Sequence, residues 1–217
     1  YAVYSLMPEV GELVVNEDAR ASKFSHANEI AKPHYYRVTL DNGITTEMAP
    51  TTRGVHLRFT YPRKGDAYLV LDGYFAMSGM KIDPAKRQIS GWVNNQRFVN
   101  HPETFRNYFV IQFDKPFTFT SGVKENNILP NETEVQGNHT GAIIGFATQK
   151  GEIVHARVAS SFISYEQAEL NLKELGKDSF DQLVTKGKDI WNREMSKVDV
   201  EDDNIDNLRT FYSCLYR

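Results

Sequence analysis

Apolar side chains along this sequence follow two different periods. Up to about residue 163 they come in short runs of alternating or continuous apolar positions, and beyond it they recur every three or four residues. The runs HYYRVTL (34–40), GITTEMA (43–49), VHLRFTY (55–61), DAYLVLD (66–72), QISGWVN (88–94), NYFVIQF (107–113) and HTGAIIGFA (139–147) are set apart by Gly, Asn, Asp or Pro. In the third of these, Leu57 and Phe59 share one face, opposite His56 and Arg58. Such spacing predicts the antiparallel strands of a sandwich. Asp41-Asn42-Gly43 predicts a tight turn, because Asn and Gly tolerate positive φ. Tyr1–Pro8 is also strand-like, and IVHARVASSFIS (153–164) closes the series.

The period then changes to that of helices. Ser164 with Gln167 spells a capping box before a short helix with Ala168, Leu170, Leu172 and Leu175 inward and Gly176 at its end. A second helix is predicted from Ser179, burying Phe180, Leu183, Val184, Ile190, Trp191 and Met195. A third spans 204–217, with Ile205, Leu208, Phe211, Tyr212 and Leu215 on one face and Asp202 or Asp203 as N-cap. Burying that stripe is worth roughly 1.5–3 kcal/mol per side chain, whereas a lone helix of this length is marginal in water. No Gly or Pro stop follows it. The expectation is a mainly β chain: a β-sandwich over 1–163, a helical linker over 164–200, and over 201–217 the opening helix of a further domain.

Composition narrows the class. At 217 residues and 41% hydrophobic, the chain supports a sizeable core and fits neither a disordered nor a membrane-embedded protein. A formal net charge of −3 gives no basic face for nucleic acid, and no apolar run is long enough for a membrane span. The 11 Tyr and 13 Phe suit sheets. The single cysteine, Cys214, excludes an intrachain disulfide framework, and its place in an apolar helix predicts burial.

Candidate chemistry is sparse. His26, Asn28 and Glu29 cluster on a predicted loop, where they suit a sugar hydroxyl or a metal; the plainer reading is a hydrogen-bonded cap on the next strand. Trp92, followed by Gln96, Arg97 and His101, offers an aromatic face and amides for a carbohydrate; the plainer reading is a core Trp. His101, His139 and His155 have no partners at metal-ligand spacing, and Ser25-His26 lacks a nucleophile elbow. Asp199, Glu201, Asp202, Asp203 and Asp206 lack the pattern of an EF-hand loop, and helix capping accounts for them. Asn131-Glu-Thr and Asn138-His-Thr are glycosylation sequons, meaningful only in a eukaryotic secretory host. No carboxylate pair is singled out as acid and base by spacing.

Several ordered stretches carry a family resemblance. They are Leu6-Met-Pro-Glu-Val-Gly-Glu-Leu13, Lys23-Phe-Ser-His-Ala-Asn-Glu-Ile-Ala-Lys-Pro33 with Tyr35-Tyr-Arg-Val-Thr-Leu40, and Glu47-Met-Ala-Pro-Thr-Thr-Arg-Gly-Val-His-Leu-Arg-Phe-Thr-Tyr-Pro62. Tyr108-Phe-Val, Lys115-Pro-Phe117, Ser161-Phe-Ile-Ser164, Trp191-Asn192 and Thr210-Phe-Tyr-Ser-Cys-Leu-Tyr-Arg217 continue the order. Across nearly the whole chain these resemble bacterial α-mannosidases of glycoside hydrolase family 92.

The resemblance implies an N-terminal sandwich joined by helices to an (α/α)6 barrel, of which 201–217 is the first helix. It implies removal of terminal mannose with inversion, a Glu acid, an Asp base and bound Ca2+, all held by the barrel beyond Arg217. A glycine-rich loop reaching the sugar falls before Tyr1. The implied partners are mannose-containing glycans and the chain's own barrel, and the implied place is the periplasm or outside of a bacterial cell. Lys32-Pro33-His34 departs from the family, which usually has a small residue before the Tyr pair. Two other readings remain: a sugar-binding sandwich module without hydrolysis, and the sandwich of a disaccharide phosphorylase.

Overall fold

The computed structural model describes residues 4–74, 77–94 and 104–217. In chain order the elements are β1 (Ser5–Val10), α1 (Glu17–Arg20), β2 (Phe24–Lys32), β3 (Tyr35–Leu40), β4 (Thr45–Pro50), β5 (Gly54–Thr60), β6 (Gly65–Asp72) and β7 (Met77–Asp83). They continue with β8 (Gln88–Asn94), β9 (Arg106–Phe113), β10 (Phe119–Lys124), β11 (Asn127–Pro130), β12 (Glu134–Asn138), β13 (Thr140–Thr148) and β14 (Ile153–Ser161). The helices α2 (Tyr165–Lys173), α3 (Phe180–Met195) and α4 (Ile205–Tyr216) follow.

The strands form a five-stranded sheet, β1-β6-β13-β10-β11, and a nine-stranded sheet, β12-β7-β8-β9-β14-β5-β4-β3-β2. Leu57, Phe59, Phe109, Ile111, Phe113 and Ala156 of the larger sheet share one core with Leu69, Leu71, Ala142, Ile144 and Phe146 of the smaller. The alternation seen in HLRFTY is this inner face. The sandwich and the strands over 34–61, 66–72, 88–94, 107–113, 139–147 and 153–161 stand as expected. The Asp41–Gly43 turn also forms, with Gly43 at φ 85° and Ile44 N–H donating to Asn42 Oδ1 at 3.0 Å.

β7, β10, β11 and β12 lie outside the sequence expectation. Gly79 and Lys81 interrupt the first of these, Gly122 the second, and the other two have four and five residues. The predicted loop around His26 is a further correction. Residues 24–32 form β2, an edge strand on which every residue but Glu29 is exposed. A strand bare on both faces has no apolar alternation to show.

The outer face of the larger sheet is polar in sequence yet covered in the fold. Ala49 of that face packs with Leu175, Phe180 and Leu183 of the helices. Ser179 caps α3 with the complete box, its Oγ accepting from Gln182 N–H at 3.2 Å while Gln182 Oε1 accepts from Ser179 N–H at 2.8 Å. Ser164 caps α2, but Gln167 turns away to Asn171 at 3.0 Å. Ala168, Leu172 and Leu175 face inward as expected, but Leu170 is 53% exposed, and Asn171 is buried in its stead, donating to the Ser160 carbonyl at 2.8 Å.

The helical stripes are only partly buried. Ile190 is exposed, because α3 runs beyond the sheet it started on. On α4 no residue is buried; Leu208 and Tyr212 are half-buried, while Ile205, Phe211 and Leu215 are exposed. Cys214 is exposed, contrary to expectation, since α4 leans on α3 through Trp191 and Tyr216, 5.0 Å apart, and nothing described covers its far side. Its N-cap is Asn204, accepting from Asp206 N–H at 3.0 Å. Asp202 instead ties down Asn204 N–H at 2.7 Å.

Arg58 is the main polar contact of the sheet with α3. It grips Glu47 with two bonds of 2.7 and 2.8 Å, reaches Asp181 at 3.1 Å and lies 4.1 Å from the centre of the Phe180 ring. Burial raises the Glu47 pKa, but the bonds from Arg58 and Tyr35 outweigh it and hold the carboxylate below its ordinary value. Arg58→Ala leaves the buried Glu47 carboxylate with the Tyr35 hydroxyl but without its bidentate cation, and should lower the unfolding free energy by about 3 kcal/mol in a urea titration. Asp181→Ala, at an exposed position, should cost less than about 1 kcal/mol in the same assay.

Candidate functional site

The cluster His26, Asn28 and Glu29 owes its form to a large bulge. Between Phe24 and Glu29, five steps along β2 answer two along β3, from Leu40 to Val38. The extra residues swing out of the ladder, and Ser25 Oγ steadies them by accepting from Ala27 N–H at 3.2 Å. Glu29 sits at the foot of the bulge. Its Oε2 lies 2.6 Å from His26 Nδ1, and its Oε1 accepts from the Tyr36 hydroxyl at 2.5 Å. Phe24 meets the imidazole edge-on at 5.6 Å.

The bond from Tyr36, then the one from His26, lowers the Glu29 pKa. That same bond, helped by burial, pushes the Tyr36 phenol up to about 12. Glu29 is thus a fixed, ionised acceptor. The His26 side chain is 89% exposed, and Asn28 is exposed as well. The result is a small donor and acceptor surface suited to hydroxyl groups.

Tyr36 was not among the sequence candidates. The signal available was the tight β2–β3 hairpin, whose pairing of Ala31 with Tyr36 brings Glu29 diagonally within reach.

Trp92 lies elsewhere, on β8, and outside the sandwich core. It stands between Gly79 and Tyr108 in the register, with the Arg106 guanidinium 3.7 Å over its ring. A Cβ on Gly79 would sit 2.7 Å from the indole Nε1, so the glycine makes room for the ring. Backbone below and a cation above thus occupy the faces on which a sugar would stack. Gln96, Arg97 and His101 lie outside the described residues. Six strand positions separate β8 from β2, about 29 Å at 4.8 Å each. Trp92 and the His26 cluster are therefore not one site.

Other candidates have structural roles. His139 Nε2 lies 3.3 Å from Asp72, which also pairs with Arg20 of α1. His155 meets His56 on the outer face. Asp202 and Asp206 serve the start of α4, and among the described residues no group of three or more His, Cys, Asp or Glu is placed to hold a metal.

The end of β2 leads directly to α4. Ala31, Lys32 and Pro33 line an open groove of about 660 Å³ with Arg209, Tyr212 and Tyr216. The strand carrying the polar cluster therefore adjoins the last helix of the chain.

Comparison with known proteins bears on both elements. The family model for the glycosyl hydrolase family 92 N-terminal domain matches residues 1–161, and that for the family's catalytic domain matches residues 167–217. The inverting mannosidase BT2199 of Bacteroides thetaiotaomicron superposes with a TM-score of 0.90 at 36% identity, over 99% of this chain and 29% of that one. The α-mannosidase BT3965 of Bacteroides thetaiotaomicron gives 0.86 at 29% identity, over 98% and 31%. Its structure in complex with mannoimidazole gives 0.85 at 29% identity, over 98% and 30%. The chain thus spans less than a third of these solved relatives. A bacterial glucoamylase, 11% identical with a TM-score of 0.53, shares the fold alone. No curated protein sequence matches the chain. A sandwich that matches one family domain and a helical continuation that matches the next leave a single assignment: the chain belongs to glycosyl hydrolase family 92.

Proposed function

We propose that this chain is the N-terminal scaffold of an inverting exo-α-mannosidase, shaping the approach to a sugar site completed by an (α/α)6 barrel. The observation that carries this is the open groove that the end of β2 shares with α4. The groove between them joins the strand bearing His26, Asn28 and Glu29 to the segment matching the catalytic domain. The similar proteins described as an inverting mannosidase and an α-mannosidase support the substrate class. Membership of a hydrolase family favours hydrolysis over phosphorolysis.

In this reading the chemistry is a single displacement. A protonated carboxyl gives its proton to the leaving oxygen while a carboxylate activates water on the other face. Glu29 does not suit the acid's task, since its pKa is lowered, nor the base's, since both its oxygens are engaged. His26 and Asn28 instead hydrogen-bond a hydroxyl of the mannoside, from N-glycan or mannan, with Glu29, itself held by Tyr36, fixing the imidazole. Asp202 and Asp206 are engaged at the start of α4, and among the described residues no group of three or more His, Cys, Asp or Glu is placed to hold a metal. Calcium, which in such an enzyme would help bind and distort the ring, is in this reading held outside 1–217. A periplasmic or extracellular place in a bacterium fits a glycan substrate, and no helix described is long and apolar enough to cross a membrane.

The purified 217-residue chain should release no product from an aryl α-mannoside or mannobiose. Measurable turnover would sink the assignment of the chemistry to residues beyond it. In the complete enzyme, Glu29→Gln should lower kcat/KM on mannobiose about 10–100-fold, as for a lost hydrogen bond to a charged group. The loss should fall mainly on KM. An unchanged kcat/KM would remove the β2 cluster from the substrate site.

A further inference from the structure

The outer face of the larger sheet holds a histidine pair whose position suggests a use. Across β5 and β14, His56 stands opposite Arg157 and His155 opposite Arg58, so the two imidazoles meet on the diagonal. His155 Nδ1 lies 3.1 Å from His56 Nε2, with ring centres 5.0 Å apart. Phe180, the first residue of α3, rests on both, 5.5 Å from His56 and 6.5 Å from His155. An open cleft of about 510 Å³, lined by Arg87, Gln112, Asp114, Arg157 and Ser179, gives water a route to the pair.

We propose that His56 and His155 form an acid-sensitive latch, holding the start of α3 on the sheet while both rings are neutral and releasing it when they are protonated. A single proton in the 3.1 Å gap makes one nitrogen a donor and the other an acceptor. His56 is 3% exposed, and its Nδ1 has no hydrogen-bond partner among the described residues. The neutral form that leaves no buried donor unpaired therefore has His56 donating from Nε2 to His155 Nδ1. Protonating His155 sets two N–H groups against each other, and protonating His56 adds a buried N–H without an acceptor.

The surrounding charges are unequal. Arg58 and Arg157 flank the pair from the strands, and Arg87 lines the cleft; Asp114, beyond β9, and Asp181 of α3 oppose them. Glu47 is engaged by Arg58. Asp114 already accepts from the His155 backbone N–H at 2.8 Å.

Burial first, then the neighbouring His155, Arg157 and Arg58, lowers His56 to about 4, and burial also lowers His155. An unfolded chain takes up these protons near 6.5. Docking therefore stays intact above about pH 6.5, weakens as pH falls towards about 4, and changes little from these groups below that. The His56 shift alone corresponds to a bias of roughly three hundredfold when fully expressed. This latch depends on the packing of α3, whatever the protein binds.

Hydrogen exchange of the 217-residue chain at pH about 7 and about 5, corrected for intrinsic rates, tests it. Amides of α3 should lose about tenfold or more in protection while those of β13 hold. The double variant His56→Gln/His155→Gln keeps hydrogen-bonding groups that cannot titrate here, and should abolish the difference. Should that variant fail to fold, His155→Gln, at the more accessible position, should reduce it. Unchanged α3 protection at pH about 5, equal loss in β13, or a wild-type response in whichever variant folds would overturn the latch.

Discussion

One guanidinium decides how the two regimes of this chain meet. Arg58 points out of a central strand, where the sequence pattern alone assigns it to water. The helices instead close over it. Moving a charge out of water is expensive unless its hydrogen bonds are replaced. Arg58 finds Glu47 beside it, Asp181 above it and the Phe180 ring on top. Arg157, the next such residue, donates to the carbonyls of Gly176 and Asp178 in the turn between α2 and α3. The apolar patch there is small: Ala49, Leu175, Phe180 and Leu183, with Tyr35, Leu172 and Val184 at its border. A patch of that size gives adhesion, and directional bonds to arginine give position. In this placement of the helices both arginines are satisfied.

The same logic separates what the sequence shows from what it hides. A strand with one face in the core writes itself as alternation, which is why 55–61 and 107–113 are readable. Ser164 and Ser179 announce their helices because capping is a local event. β2 wrote nothing, since an edge strand bare on both sides has no face to mark. Leu170 and Ile190 misled for the opposite reason: helical period states which residues share a face, while the sheet's extent decides how much of that face is covered. His26 and Glu29 meet through a bulge of several residues, and a bulge of that kind is not carried by spacing. Trp92 gave no hint of Arg106 above or Gly79 below. The family, by contrast, was legible through the order of short motifs, which requires no knowledge of contacts.

The bulge on β2 has two consequences from one geometry. An exposed nine-residue edge strand offers a row of unpaired backbone groups to any other chain. Swinging Ser25–Asn28 out of the ladder breaks that row, and it is the same displacement that carries His26 and Asn28 into solvent. Lys32 and Pro33 end the strand with a charge and a residue lacking an N–H, which blunts it further. A feature that guards the edge is therefore also one that presents polar groups, so its form does not separate protection from recognition. In the proposed reading the Glu29 network favours recognition: protection alone needs no carboxylate shared between a phenol and an imidazole, whereas the network fixes that imidazole in one orientation.

Charge state then limits what the β2 surface contributes to glycoside cleavage. A general acid must hold its proton near neutral pH, which asks for a carboxyl raised by burial or by a neighbouring anion. Glu29 has the reverse surroundings, with two donors and no carboxylate beside it, and its pKa is lowered. A base acting on water needs an unengaged oxygen facing the sugar, yet both Glu29 oxygens are occupied, one by Tyr36 and one by His26. What remains open is the outer side of the imidazole and the Asn28 amide, groups that donate to or accept from a hydroxyl without moving a proton. In the reading proposed above, the sandwich contributes position and recognition, and bond cleavage falls to a partner surface that supplies two carboxyl groups of opposite charge state.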